Sequence, residues 1–173
     1  KVAAVGLIVL MTVVAGLFIN NYLYEQKLAG IFPAEFKGAA NTEQVEVDEV
    51  ALKTLADGST ITLNKKARLT YLKNFEGAKR AVALEGEAYF DITSNPNKPF
   101  VIDAGDVFVE VLGTSFLVNA GNQIDSIVVA VSSGTVKVIS KKNIKHFVVI
   151  TAGEQAVFYK EDKTLVKDKI QLA

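Results

Sequence analysis

TITLNKKARLTY, residues 60–71, sets Ile61 and Leu63 in alternation with Thr60, Thr62 and Asn64, then Leu69 and Tyr71 in alternation with Arg68 and Thr70. Successive side chains of an extended chain point to opposite faces, so this period of two reads as a pair of half-buried strands. The rhythm continues through Val82 and Leu84, Phe100 and Ile102, Phe108 to Leu112, and Phe116 and Val118. It returns in Ser126 to Val131, Thr135 to Ile139, Phe147 to Ile150 and Ala156 to Tyr159. Turn signals separate the runs: Asp57-Gly58, Ser94-Asn95-Pro96-Asn97, Ala104-Gly105-Asp106, Gly121-Asn122 and Ser133-Gly134. Ile127 to Val131 and Val148 to Ile150 are apolar at consecutive positions, as centrally placed strands are. The expected fold class is an all-β soluble domain, a twisted β-sandwich, roll or solenoid-like arrangement of mostly short strands. No repeat period demands a solenoid.

Ahead of this region lies VAAVGLIVLMTVVAGLFI, residues 2–19, without a single charge. Eighteen such residues in a helix rising about 1.5 Å each come close to the hydrocarbon thickness of a bilayer, about 30 Å. Tyr22 and Tyr24 follow where interfacial aromatics anchor a span. The reading is a single N-terminal transmembrane α-helix running from Val2 to Ile19. A cleaved signal peptide is the rival; the chargeless stretch to Tyr24 and the unbroken Glu-Gln-Lys after it weigh against one. Residues 1–30 are then the membrane and juxtamembrane helix, 31–44 a linker with Pro33 and Gly38, and 45–160 the β domain, with a possible first strand at Glu43 to Val47. Residues 161–173 form a C-terminal strand or a linker toward a further domain. Lys163 to Leu172 alternates again and offers an edge for strand addition by a partner. Lys1 before the span and Lys27 after it leave the charge rule for orientation nearly balanced. The first residue, Lys1, suggests that more chain precedes it.

The chain carries 19 Lys plus Arg against 19 Asp plus Glu, a formal net charge of zero, and no cysteine. Nothing here predicts the cationic surface that nucleic acid requires, and disulfides, thiolate metal sites and cysteine nucleophiles are all excluded. The one histidine, His146, has no Ser, Asp or Cys pattern around it that would make it a general base. Glu85, Glu87 and Asp91 fall close together, but without histidine they form a weak metal cluster. Phosphate-binding glycine loops are missing, so no cofactor is expected. The reading is non-catalytic. Tyr71, Phe75 and Tyr89 are better explained by core or edge packing than by a carbohydrate cleft.

Four motifs follow one another in order: Leu55-Ala56-Asp57-Gly58-Ser59 with Ile61, Leu63 and Asn64; Leu84-Glu85-Gly86-Glu87-Ala88-Tyr89-Phe90-Asp91; Pro99-Phe100-Val101; and Val111-Leu112-Gly113-Thr114-Ser115-Phe116. Gly134 to Val138 and Ala152 to Ala156 stand behind them. This succession resembles the FecR periplasmic domain and covers most of residues 50 to 160. Leu117, Ser133 and Ala152 depart from that pattern. Gly86 and Gly113 are expected where a strand bends or another backbone approaches. Tyr89, Phe90 and Phe116 are expected to supply core area, and Asp57 and Asn64 to satisfy turn amides. Gly58, Ser59, Glu87, Asp91 and Thr114 complete a motif set whose roles read as architectural.

The resemblance implies a single-span regulator of an extracytoplasmic-function sigma factor, anchored in the inner membrane with its β domain in the periplasm. It implies two partners, the sigma factor and the signalling domain of an outer-membrane TonB-dependent transporter, and a homo-oligomer is possible. Three ways remain open for the helix to carry a signal: altered proteolytic susceptibility, oligomeric state or register. A membrane-anchored structural or assembly subunit of an envelope complex is the alternative that the same residues allow.

Overall fold

The computed structural model describes residues 2–32, 36 and 41–170, with the side chains at 2–10, 25, 28 and 29 outside that description. The expected linker 31–44, the side chain of Val2 and the C-terminal residues 171–173 therefore fall wholly or partly beyond it. Two compact units divide the chain, Lys1–Ile31 and Phe32–Ala173.

The first unit is one helix, α1 (Val2–Ile31), 30 residues long. Met11, Leu17 and Phe18 on it are 66%, 65% and 73% exposed. Among the described residues no helix is long and apolar enough to cross a membrane; the described side chains of α1 begin only at Met11. The expectation of a span is thus met as far as a helix and no further.

The second unit is all β among its described elements. β1 (Thr42–Glu46) begins three residues before the expected domain start at Val45, and β2 (Ala51–Thr54) was not expected as a separate strand. The Asp57-Gly58 turn joins β2 to β3 (Thr60–Leu63), which leads to β4 (Arg68–Leu72) and the twelve-residue β5 (Arg80–Asp91). β6 (Phe100–Ala104), β7 (Val107–Val111), β8 (Ser115–Ala120), β9 (Ser126–Ser133) and β10 (Thr135–Ser140) follow. The chain then runs through β11 (Phe147–Thr151), β12 (Glu154–Tyr159) and β13 (Thr164–Lys169).

β5 belongs to two sheets. Its first half pairs with β4 and, in parallel, with β6; its second half pairs antiparallel with β3 and β8. The first sheet runs β1-β4-β5-β6-β7-β10-β11 and the second β2-β3-β5-β8-β9-β12-β13, so the whole is a nearly closed barrel-like sheet folded about one strand. The switch falls at Gly86. Its φ of +94° lies in the left-handed region, and a Cβ there would stand 2.9 Å from the Cα of Ala67. Glycine alone combines that backbone angle with that approach.

Between the sheets lies one continuous core, with Ile61, Leu69, Val82, Leu84, Ile102, Val109, Val129 and Val138 all buried. Phe90 and Phe116, paired across β5 and β8, stack at 5.3 Å with planes 11° apart. Alternation delivers them, since Val82, Leu84, Ala88 and Phe90 share the inward side of β5. Outside the first sheet Phe32, one residue beyond α1, is buried against Phe108 with centroids 5.5 Å apart, and Lys141 covers the same ring.

The far edges, β11 and β13, are bound by side chains rather than by a ladder. Lys167 of β13 donates to the Val149 carbonyl of β11 at 3.1 Å and pairs with Glu154 at 2.7 Å. The Lys167 ammonium, then the Thr151 amide, hold the Glu154 carboxyl down at about 2 from the ordinary 4.5. A carboxylate with a lowered folded-state pKa stabilises the fold above its unfolded value and loses that contribution as pH falls through the folded one. The thermal midpoint of Glu154→Gln should therefore lie below that of the parent at pH 7. The gap should narrow from about pH 4.5 downward and close near pH 2 in a melting series; a gap unchanged across that range would exclude this role.

Candidate functional site

The motif residues divide between two places. The first is a buried knot where the two ends of β5 meet. Arg80, at the start of that strand, is 2% exposed and has the inward parity of Val82 and Leu84. Its Nη1 donates to Asp57 Oδ2 at 2.6 Å and to the Thr93 carbonyl at 2.9 Å, and its Nε donates to the Lys98 carbonyl at 2.9 Å. Nη2 reaches the Leu112 carbonyl at 3.4 Å, and the guanidinium lies 5.4 Å from the Phe100 ring centroid. A buried cation is tolerated only when its charge is paired and its donors are used. Here three segments supply the four acceptors: the Asp57 turn, the β5–β6 connection and the turn after β7.

Asp57 is not free to serve its own turn alone. Oδ1 accepts from the Ser59 amide at 3.1 Å, while Oδ2 accepts from the Ser59 hydroxyl at 2.8 Å besides Arg80. Ser59, fully buried, in turn accepts from the Thr93 amide at 3.1 Å. Gly58 sits exposed at the tip of this turn with φ +82°. Alongside, Ile92 donates to the Thr114 carbonyl at 3.0 Å and Asn95 to the Leu112 carbonyl at 2.7 Å. Those bonds draw the chain after β5 onto the β7–β8 turn so closely that a Cβ on Gly113 would stand 2.4 Å from the Cα of Ser94. The Thr114 hydroxyl donates to the Thr135 carbonyl at 3.0 Å and ties in β10.

The second place is the outward face of the second sheet. Glu87 accepts from Asn64 Nδ2 at 2.8 Å and from Asn119 Nδ2 at 2.7 Å, one carboxamide on each oxygen. Asn64 Oδ1 accepts from the Lys65 amide, its expected turn role. Tyr89 stands beside Glu87 on this face, 37% exposed, which corrects its expected place in the core. Asp91 accepts from Ser115 at 2.8 Å. Glu85 lies instead on the first sheet, paired with Arg68 at 3.1 Å. Phe90 and Phe116 are core.

Among the described residues no group of three or more His, Asp or Glu could hold a metal. His146 is exposed in the turn before β11. Tyr71 is buried under the Lys53–Glu43 pair, which spans the near edges of the two sheets at 3.5 Å, and Phe75 packs edge-on to Phe100. Arg80 was overlooked at the sequence level. Its signal was there: one of two arginines in the chain, in register of two with an apolar run.

The model of the FecR protein family matches residues 41–137. The chain is also similar to two crystal structures of candidate anti-sigma factors from Parabacteroides distasonis ATCC 8503. One, at 2.50 Å resolution, superposes with a TM-score of 0.70 at 28% identity over 74% of this chain and 60% of that one. The other, at 1.65 Å, gives 0.69 at 28% identity over 73% and 59%. This chain thus spans about three fifths of their length. No curated protein matches.

Removing Asp57 while leaving Arg80 strands a buried cation, at a cost of about 3–5 kcal/mol. Asp57→Ala is expected to lose that much in a urea unfolding series. Arg80→Met should restore part of it in the double variant, with a coupling of about 1–3 kcal/mol; strictly additive losses would remove the ion pair from its central position.

Proposed function

This chain belongs to the FecR protein family, and on that premise we propose that it is a non-catalytic, membrane-anchored regulator of an extracytoplasmic-function sigma factor. Support comes from the family match over residues 41–137 and from the likeness to candidate anti-sigma factors. The single observation that carries it is the convergence of Asp57, Ser59, Gly113 and Thr114 from separate FecR-like motifs on one buried knot, in a domain that follows a 30-residue helix. In this reading residues 2–19 cross the inner membrane and the β domain stands in the periplasm, where it receives the signalling domain of an outer-membrane transporter. The uncharged sequence and the exposed apolar side chains of α1 support the anchor.

The β domain acts as a rigid receiver. Eight of its motif residues, Asp57, Gly58, Ser59, Gly86, Phe90, Gly113, Thr114 and Phe116, serve the Arg80 knot, close backbone approaches and core aromatics, all of which resist local deformation. Phe32, the first residue of the β unit, is itself buried on Phe108. A partner that prefers one state of this unit shifts its equilibrium and with it the state of the helix.

Co-purification of the full-length protein from membranes is expected to recover a sigma factor. Its repeated absence, with the β domain intact, would replace this reading by that of an anchored assembly subunit. Charge placed inside the anchor tests the other half. A Lys near a span's centre costs about 2.5–3.5 kcal/mol of insertion, so Val14→Lys should lower the carbonate-resistant membrane fraction, and an unchanged fraction counts against the span.

A further inference from the structure

The outward face of the second sheet sets apolar side chains among neutral polar ones and carries acid without base. Cross-strand register runs Leu52, Thr62, Tyr89 and Leu117 side by side, and in the neighbouring row Asn119, Val128, Val157 and Val166. Leu52 is 69% exposed and Val166 41%. At the outward positions of these seven strands stand Glu87, Asp91 and Asp168 but no Lys or Arg. The acids are met by neutral donors: Asn64 and Asn119 for Glu87, Ser115 for Asp91, the Lys169 amide for Asp168. Elsewhere on the domain Glu43, Glu46, Glu85, Asp103, Glu110 and Glu154 pair with lysine or arginine, whereas Asp162 too is met by neutral donors, the Thr164 amide and hydroxyl. Beside Glu87 the surface sinks into a depression walled by Val50, Tyr89 and Leu117.

We propose that this face is a docking surface for a protein segment that lays apolar side chains on the sheet and inserts one Lys or Arg beside Glu87. The depression fits that side chain chemically, an aliphatic stem against Val50, Tyr89 and Leu117 and a cation at the carboxylate. The two carboxamides hold the carboxylate oriented without neutralising it, so the cation need not first organise its own acceptor. An anionic lipid surface is disfavoured, because the face offers phosphate only like charge. A second copy docked face to face about a two-fold axis would set acid against acid, so a different polypeptide of opposite charge is the complement. This proposal does not depend on the sigma-factor reading.

The test uses full-length protein in its own cells with the photo-cross-linker p-benzoylphenylalanine at position 117, and at position 149 as a control on the first sheet. The expected result is an adduct from position 117 alone, to a protein whose cross-linked peptide carries Lys or Arg among apolar residues. Glu87→Arg should lower its yield at least about tenfold, as like charge at a contact costs several kcal/mol. Melting by circular dichroism checks that this variant folds; the milder Glu87→Gln, which keeps the size of the side chain, should lower the yield in the same direction. An adduct of two copies, an adduct to lipid, no adduct, equal yield at 149, or a yield indifferent to residue 87 would each overturn the proposal. Because sigma-factor recovery is not part of the readout, either reading can fail without the other.

Discussion

Arg80 closes β5 on itself. Twelve extended residues would span about 40 Å if straight, yet the guanidinium at the start of the strand bonds a carbonyl two residues beyond its end. The strand therefore coils, with the reversal absorbed at Gly86, and its two halves fall into two sheets. Everything else follows from that curl: the parallel pairing of β5 with β6, the core between the layers, and the meeting of the Asp57 turn with the Leu112–Thr114 turn. A hydrophobic residue at position 80 would fill the volume but would leave those carbonyls and Asp57 without their donors.

The family motifs gain a physical meaning from this arrangement. Asp57, Ser59, Gly113 and Thr114 lie far apart in the chain yet serve one knot, each by a bond or by a missing Cβ. Asn64, Glu87, Tyr89 and Asp91 serve the outer face of a sheet instead. Scaffold and surface are thus interleaved along a single strand, because its period of two sends alternate residues to opposite sides. A domain built this way can present a chemically distinct face while its interior stays fixed.

The described side chains hold no assembled nucleophile, base or metal group, and the strongest polar interactions are turned inward. The second sheet faces outward with apolar and neutral polar side chains and with carboxylates that no lysine or arginine pairs, Glu87 and Asp91 on β5 and Asp168 on β13, and on the opposite layer Phe32 packs on Phe108 of β7.

Local pattern was enough for much of this. Alternation placed most strands, because the side-chain period of an extended chain needs no knowledge of its neighbours, and the chargeless run 2–19 marked the helix. β2 escaped for the converse reason: Leu52 faces outward, so the strand lacks a buried stripe to betray it. Pairing order, the sharing of β5 between sheets, the outward place of Tyr89 and the partnership of Arg80 with Asp57 were decided only by the tertiary structure. Each depends on which segments meet in space, and residues 23 positions apart carry no mutual signature until a coiled strand brings a guanidinium within 2.6 Å of a carboxylate.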